Sequence, residues 1–202
     1  MSILIIVRHG QSQWNLENRF TGEVDVDLTP LGEDEAKEAG ILLKSYHFDE
    51  AHTSVLKRAI RTLEIILKEL DFKDFKIFKS AALNERNYGD LQGLNKAEVE
   101  KQYGSAQLVL WRRSYEVVPP KGESLKDTYK RVIPYYKSEI EPKLKVGKNI
   151  LVVAHGNSLR ALMMYLEDIS STEIPKIDLP TGKPRVYEFN APSMILSKVY
   201  YL

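Results

Sequence analysis

The 202-residue chain contains no cysteine. Disulfide bonds, thiol nucleophiles and thiolate metal sites are therefore excluded, and a reducing compartment, the cytoplasm, is expected. Long hydrophobic runs are also missing, since the apolar stretches near residues 3–7 and 150–154 are far too short to span a membrane. No basic, apolar leader precedes the first strand, so we expect neither secretion nor membrane association.

Positive and negative charges almost balance, and the formal net charge is only +1. Such a balance gives no overall field to attract nucleic acid, and nucleic-acid partners are not expected. Nucleotide loops of the types GxGxxG, GxxxxGKS and GxxxxGKT do not occur either. Recognition of an anion must therefore come from a local cluster of Lys and Arg.

What the chain does contain is an alternation of short apolar runs with longer amphipathic ones, which is typical of βαβ units. It predicts an α/β fold of three layers, with a mostly parallel sheet flanked by helices on both faces. Strands are expected at 2–7, 49–52, 75–79, 149–154, 185–189 and 194–201. Helices are expected at 30–46, 55–70, 95–114, 124–144 and 157–167. No linker or repeat interrupts residues 1–202, which predicts one domain.

Three helix starts carry capping residues. Thr29 precedes a proline at the first helical position, and Ser54 is expected to cap the helix that follows it. Ser124 and Asp127 have the spacing of a capping box. The segment 80–94 has no clear period and is rich in turn formers, so we interpret it as a loop that carries function.

Two of the four histidines, His9 and His155, each follow an apolar strand and precede a glycine. Ligands of open α/β sheets bind beyond the carboxyl ends of the strands, and glycine lets the backbone turn sharply there. Either histidine alone is equally well explained by structural hydrogen bonding, but two with matching context predict a functional pair. His47 and His52 lack this context and are interpreted as surface or core residues.

The neighbours of these histidines favour phosphate over metal. No HExxH motif or cysteine set is present, and the cation of Arg8 beside His9 disfavours a metal site. A guanidinium instead matches phosphate oxygens bidentately. His9 could then attack phosphorus, while Arg8, Arg58 and His155 neutralise the equatorial oxygens.

Within the loop 80–94, Glu85 is the candidate acid and base, because a carboxyl group in a partly desolvated cleft can give a proton to a leaving oxygen. Alone, it would be read as an exposed loop glutamate, so the hypothesis depends on the whole constellation. Lys96, Arg112 and Arg113 form a second basic group, which could equally be a helix end with solvated arginines. If this group faces the same cleft, the pocket holds too many cations for one phosphate.

Seven motifs, in order between residue 4 and at least residue 188, resemble those of the cofactor-dependent phosphoglycerate mutases of the histidine phosphatase superfamily. RHG alone indicates only the superfamily, whereas FTG, LNERxYG and WRRSY point to the branch that uses 2,3-bisphosphoglycerate. The motifs are RHGQSQWN, FTGEVDVDLTPLG, TSVLKRAIRT, LNERNYGDLQGLNK, WRRSY, AHGNSLRAL and LPTGKPRVYE.

The resemblance implies an isomerase of glycolysis and gluconeogenesis that interconverts 3-phosphoglycerate and 2-phosphoglycerate without a metal, primed by 2,3-bisphosphoglycerate. His9 would be phosphorylated, Glu85 would donate and accept the proton, and His155 would steady the transferring group. The phosphoryl pocket would be lined by Arg8, Asn15, Arg58, Gly156 and Asn157. The glycerate, its carboxylate and its second phosphate would be held by Ser12, Thr21, Gly22, Arg86, Tyr88, Lys96, Arg112 and Arg113. Because relatives form dimers or tetramers, a homo-oligomer is expected.

The sequence departs from the family at three places. Asn87 stands where many members have histidine, so the hydrogen bond of that histidine is expected to differ. Longer members carry an insertion between WRRSY and GES, and they continue as a tail where this chain stops at Leu202. Both pieces could cover the site, so we expect a mutase with some leak to phosphatase activity. The alternatives are a phosphatase with the same nucleophile and, more distantly, a non-catalytic phosphate-binding module.

Overall fold

The computed structural model describes residues 1–72 and 75–202. Six strands there form one sheet: β1 (Ser2–Arg8), β2 (Glu50–Thr53), β3 (Ile77–Lys79), β4 (Ile150–Ala154), β5 (Arg185–Asn190) and β6 (Ile195–Tyr201). Their order is β3-β2-β4-β1-β5-β6. The four strands from β3 to β1 are parallel, whereas β5 runs antiparallel to both β1 and β6. The predicted α/β fold is confirmed, with a mixed sheet whose parallel part carries the strand ends of interest.

The helices connect and cover these strands. They are α1 (Gln13–Leu16), α2 (Pro30–Leu42), α3 (Lys57–Glu69), α4 (Lys96–Tyr103), α5 (Ser105–Arg113), α6 (Leu125–Tyr135), α7 (Glu141–Lys145) and α8 (Gly156–Glu167). A π-helical turn at Tyr136–Ile140 joins α6 to α7. In the described part of the chain, none of the helices combines the length and the apolar character needed to cross a membrane.

The alternation of side chains along β1 explains the three layers. Leu4 and Ile6 pack with residues of α6 and α8 on one face, while Ile5 and Val7 pack with residues of α2 and α3 on the other. Because β1 and β4 are covered on both faces, they consist almost entirely of apolar residues. They pair in parallel register, with Arg8 opposite Ala154, and therefore end side by side.

Two of the three predicted caps are confirmed. The Thr29 hydroxyl accepts from the Gly32 amide at 3.1 Å, and the Ser124–Asp127 capping box is formed. The prediction for Ser54 was wrong, since α3 begins at Lys57 and its N-cap residue is Leu56. The Ser54 hydroxyl instead faces the strand ends, where it contacts His155.

Two predicted helices are interrupted. The region 95–114 contains two helices because Gly104 adopts a positive φ of 84° between them. The region 124–144 is bent into α6, the π turn and α7, with Pro134 inside α6. The short helix α1, directly after the first strand, was not predicted.

Candidate active site

The ends of β1 and β4 bring His9 and His155 together. The His9 amide donates to the Ala154 carbonyl at 2.9 Å, which extends the strand pairing by one residue. The two imidazole centroids lie 5.0 Å apart, and the side chains are almost completely buried. The pairing expected from the sequence context is thus present at the carboxyl edge of the parallel strands.

The hydrogen bonding of His9 defines its tautomer. Its Nδ1 lies 2.7 Å from the carbonyl oxygen of Gly10, which only accepts, so Nδ1 carries the proton. Nε2 then keeps its lone pair. Burial, followed by the charges of Arg58 and Arg8, holds the pKa of His9 well below its ordinary value. The residue is therefore a neutral imidazole with a free nucleophilic nitrogen.

The imidazole of His155 is hydrogen-bonded to Ser54. The distance from His155 Nε2 to Ser54 Oγ is 2.7 Å. Burial, then the charges of Arg58, His9 and Arg8, holds the pKa of His155 well below its ordinary value. Because a hydroxyl both donates and accepts, Ser54 accommodates either protonation state of this ring.

Two arginines bring positive charge to the histidines. Arg8 donates to the Leu179 carbonyl at 2.7 Å, and Arg58 donates to the carbonyls of Gly22 at 2.7 Å and Val24 at 2.9 Å. Within the described residues, the buried Nε atoms of both arginines have no hydrogen-bond partner. Burial lowers the pKa of Arg58 to about 10, which leaves it charged at neutral pH. Unsatisfied buried donors of this kind fit an anionic group.

Glu85 is nearly buried, with 8% of its surface exposed. Its Oε1 accepts from the amides of Arg86 at 2.8 Å and Asn157 at 3.0 Å. The other oxygen, Oε2, is directed toward Gly156, where a Cβ atom would lie 3.6 Å from it and 3.6 Å from Arg8 Nε. Among the described residues, hydrogen bonds thus hold the carboxyl group by Oε1 only, which leaves Oε2 available for proton exchange.

Most of the predicted site residues line a single cleft that also contains the second basic group. Those residues are Arg8, His9, Asn15, Thr21, Gly22, Arg58, Glu85, Tyr88, Lys96, Arg112, Arg113, Gly156 and Asn157. Of the residues that the structure describes, seven Lys and Arg line this cleft against two carboxylates, Glu85 and Asp178. Burial, then the charges of Arg112 and Arg8, lowers the pKa of Lys96 to about 8. The excess of cations makes the cleft an anion site.

Three predicted residues do not line the cleft. His155 is fully buried beside His9 and does not reach the cleft surface. Ser12 donates from its hydroxyl to Asn15 Oδ1 at 2.9 Å and so orients a cleft residue. The guanidinium of Arg86 is buried and donates to the carbonyls of Trp111 at 2.7 Å and Arg112 at 2.9 Å, at the end of α5.

Sequence reasoning missed five residues that line the cleft, namely Arg19, Phe20, Arg160, Asp178 and Leu179. Arg160 donates to Asn157 Oδ1 at 3.1 Å from one helical turn further along α8, so the i, i+3 spacing could have identified it. Asp178 contacts Arg113 at 3.4 Å from a distant loop, and no local pattern predicts that approach. In residues 1–72 and 75–202, no group of three or more His, Asp or Glu side chains is arranged to hold a metal ion.

Comparison with known proteins identifies the family of the chain. Residues 4–199 match the model of the histidine phosphatase superfamily (branch 1). The 2,3-bisphosphoglycerate-dependent phosphoglycerate mutase of Cytophaga hutchinsonii is 63% identical, covering 100% of this chain and 94% of that protein. The protein of the same name from Bradyrhizobium diazoefficiens is 55% identical, covering 98% and 96%. The one from Lachnoclostridium phytofermentans is 48% identical over 224 residues, covering 98% and 90%.

Solved structures share the fold at lower identity. Bacillus stearothermophilus YhfR superimposes with a TM-score of 0.85 at 24% identity, covering 98% of this chain and 95% of that one. The mycobacterial glucosyl-3-phosphoglycerate phosphatase in complex with VO3 superimposes with a TM-score of 0.79 at 26% identity, covering 92% of both chains.

Proposed function

The chain belongs to the histidine phosphatase superfamily (branch 1), and we propose that it is a 2,3-bisphosphoglycerate-dependent phosphoglycerate mutase, which interconverts 3-phosphoglycerate and 2-phosphoglycerate. One observation carries the proposal: a single cleft is lined both by His9, whose ring centroid lies 5.0 Å from that of His155, and by the second basic group of Lys96, Arg112 and Arg113. A simple phosphomonoester needs only the first set of charges, whereas a substrate with anionic groups at both ends uses both sets.

In the proposed reaction, His9 forms and breaks the bond to phosphorus. Its Nε2 lone pair attacks the phosphoryl group, the N–P bond forms, and the P–O bond to the leaving oxygen breaks. The Gly10 carbonyl fixes the reactive tautomer, and the low pKa of His9 keeps the ring unprotonated. Arg8 and Arg58 bind the equatorial oxygens, where charge is stabilised in the transition state.

Glu85 moves the proton in each direction. During transfer of the phosphoryl group to His9, Glu85 gives a proton to the leaving oxygen. During transfer from His9, it takes a proton from the attacking hydroxyl of the monophosphoglycerate. Its free Oε2 is suited to this exchange because Oε1 is occupied by two amides. His155, held by Ser54, donates a hydrogen bond to the transferring group and steadies it.

The remaining cleft residues hold the substrate. Lys96, Arg112 and Arg113 bind the anionic groups remote from His9, and Asn15, Thr21, Gly22, Tyr88, Gly156 and Asn157 complete the walls. Ser12 and Arg86, first expected to touch substrate, contribute by holding Asn15 and the end of α5. The buried, unpartnered arginine donors and the two basic groups fit 2,3-bisphosphoglycerate, which supplies the phosphoryl group that charges His9.

The proposed setting of the enzyme is the cytoplasm, where it serves glycolysis and gluconeogenesis as a homo-oligomer of two or four chains. Its partners are the small phosphoglycerates and no metal is required. The support for this setting is the absence of cysteine and the name carried by relatives of 48–63% identity.

The decisive experiment is conversion of 3-phosphoglycerate to 2-phosphoglycerate with and without 2,3-bisphosphoglycerate. We expect conversion to depend on the bisphosphate and to fall by about 10²–10⁴-fold in Glu85→Gln, the range typical of general acid–base catalysis. His9→Ala should lose acid-labile phosphate on the protein; labelling that survives this change would show that His9 is not the nucleophile.

A phosphatase is the second candidate, since the glucosyl-3-phosphoglycerate phosphatase shares this fold. It would use the same nucleophile and acid but would have no need of Lys96, Arg112 and Arg113. A rate that ignores the bisphosphate and yields free phosphate in the same assay would favour this candidate.

A further inference from the structure

Glu85 lies on a segment without regular secondary structure, residues 84–87, and other elements must hold it in place. Arg131 of α6 contacts the backbone of this segment and of the residues before it. Its NH1 donates to the carbonyls of Ala82 at 2.8 Å and Asn84 at 3.0 Å, and its NH2 donates to the carbonyl of Glu85 itself at 3.0 Å. One guanidinium thus ties down the backbone on which the proposed acid and base is mounted.

Glu123 completes the support. Its carboxylate accepts from Arg131 Nε at 3.2 Å and from Arg131 NH2 at 3.0 Å, a bidentate pair. The same carboxylate accepts from the Asn87 amide at 3.0 Å, and the Glu123 amide donates to the Asn87 carbonyl at 2.8 Å. The ion pair therefore anchors the chain both at Glu85 and two residues beyond it.

We propose that Arg131 and Glu123 are positioning residues for Glu85, an inference that rests on the proposed function of that carboxylate. Neither side chain lines the cleft. Holding the Glu85 backbone keeps Oε1 on the Asn157 amide and leaves Oε2 turned toward the reacting oxygens. Proton transfer requires hydrogen-bond geometry, so a displacement of about 1 Å can cost about 10²-fold in rate.

The chemistry of the contacts requires arginine. The planar guanidinium group donates hydrogen bonds to three carbonyls and one carboxylate, and the single ammonium group of lysine cannot reproduce this set. The pair is also sheltered, with 23% of the Arg131 side chain and 28% of the Glu123 side chain exposed. Loss of the guanidinium would leave three carbonyls of one short segment without this donor.

The test measures mutase kinetics of Arg131→Met and Glu123→Gln. We expect kcat to fall by about 10²-fold in Arg131→Met and less in Glu123→Gln, with KM for 3-phosphoglycerate changed by less than about threefold. Arg131→Lys should recover only part of the loss. Arg185→Met is the matched control, because Arg185 also forms a sheltered bidentate pair, with Glu167, but away from the cleft. It should retain the kcat of the unmodified chain.

A double-mutant cycle with Glu85→Gln separates positioning from general support of the fold. If Arg131 acts through Glu85, Arg131→Met should add little further loss in the Glu85→Gln background. Losses that multiply, or an unchanged kcat in both single variants, would overturn the proposal. Should Arg131→Met fail to fold, Glu123→Gln carries the same cycle.

The outcome is separable from that of the proposed function. If the unmodified chain releases free phosphate and shows no bisphosphate-dependent conversion, the mutase assignment fails. The cycle is then run on phosphate release, where coupling between Arg131 and Glu85 is expected in the same form and its absence again overturns the positioning role.

Discussion

Burying two imidazoles side by side makes the stability of this protein depend on pH. His9 and His155 both have folded-state pKa values far below the ordinary 6.5, chiefly because of desolvation. Below pH 6.5 the unfolded chain therefore binds protons that the folded chain excludes, and the free energy of unfolding falls as the pH falls. Above pH 6.5 neither state is protonated, and these residues contribute no slope.

We therefore expect His155→Asn to flatten the dependence of stability on pH. Each buried neutral histidine contributes a slope of roughly 1–1.5 kcal/mol per pH unit between its two pKa values. Urea unfolding of the unmodified chain and of His155→Asn, measured between about pH 7 and pH 5, should give the smaller slope for the variant. His47→Asn is the control, because this exposed histidine lies outside the site. Equal slopes in all three proteins would contradict the buried neutral state.

Lys96 is expected to make substrate affinity depend on pH at the alkaline end. Its pKa is lowered to about 8 by burial and by Arg112 and Arg8, so its charge is present below that pH and lost above it. KM for 3-phosphoglycerate should therefore rise from about pH 8 to about pH 9 in the unmodified chain, with kcat affected less. Lys96→Arg, which keeps its charge, should show a flatter profile. A KM that does not change across this range would indicate that Lys96 does not bind the substrate.

At the scale of elements, the two glycines that follow His9 and His155 in the sequence have different structural roles. A Cβ atom on Gly10 would lie only 2.1 Å from the carbonyl oxygen of Gly32, where the chain after β1 meets the start of α2. The sequence context predicts a sharp turn of the backbone at Gly10, and the structure shows that close packing of two backbones also requires glycine there. Gly156 has no such clash, and its nearest neighbours are Arg8 and Glu85 in the cleft.

Gly10→Ala and Gly156→Ala should consequently fail in different ways. We expect Gly10→Ala to lower the free energy of unfolding by about 1–3 kcal/mol, the usual cost of overpacking, because the obstructing atoms belong to the backbone. Gly156→Ala should unfold like the unmodified chain but lose activity, since its methyl group enters the space between Glu85 and Arg8. Thermal unfolding and mutase assays on both variants check this contrast. A stable, active Gly10→Ala protein would contradict it.

The elements themselves were largely predictable from the sequence. β1 and β4 are buried on both faces, so apolar composition alone marks them, and Thr29 and Ser124 set helix starts through their own hydroxyls. The prediction for Ser54 failed because its hydroxyl accepts from the Leu56 amide at 3.2 Å, just before α3, and also contacts His155, 101 residues away in the chain. Local sequence carries no information about such a competitor.

The same distinction applies to the site. His9, Glu85 and His155 could be selected as candidates because strand ends and an aperiodic loop mark them locally, and the motifs indicated most of the other residues that line the cleft. Arg86 does not line the cleft, and Arg160, which does, was not predicted, because their partners, the carbonyls of Arg112 and Ile174, come from other parts of the chain. Whether an arginine meets a ligand or a carbonyl is decided by tertiary packing.

At the scale of the whole molecule, positive charge is concentrated in the cleft although the chain as a whole is nearly neutral. The net charge is +1, yet seven Lys and Arg residues line the cleft against two carboxylates, so acidic residues slightly outnumber basic ones in the rest of the chain. Such a local field favours small anions in the cleft.

The extent to which the cleft is shielded from water should control how fast the phosphohistidine is hydrolysed to free phosphate. Only EVVPPK separates Tyr115 from Gly122, where longer family members carry an insertion, and the Pro120 carbonyl accepts from the Asp90 amide at 2.9 Å. The short connection is thus tied by its backbone to the segment 80–94 that contains Glu85. Since excluding water protects a phosphohistidine, we expect faster phosphate release from 2,3-bisphosphoglycerate than in a longer enzyme.

The comparison should use a longer relative, such as the Lachnoclostridium phytofermentans protein, which aligns over 224 residues. Phosphate release and mutase turnover are measured on both enzymes, and their ratio removes differences in overall activity. Transplanting the longer enzyme's insertion between Tyr115 and Gly122 should lower that ratio, while an insertion of equal length made of Gly and Ser should lower it less. If the two natural enzymes share one ratio, the short connection does not control access of water to the phosphohistidine.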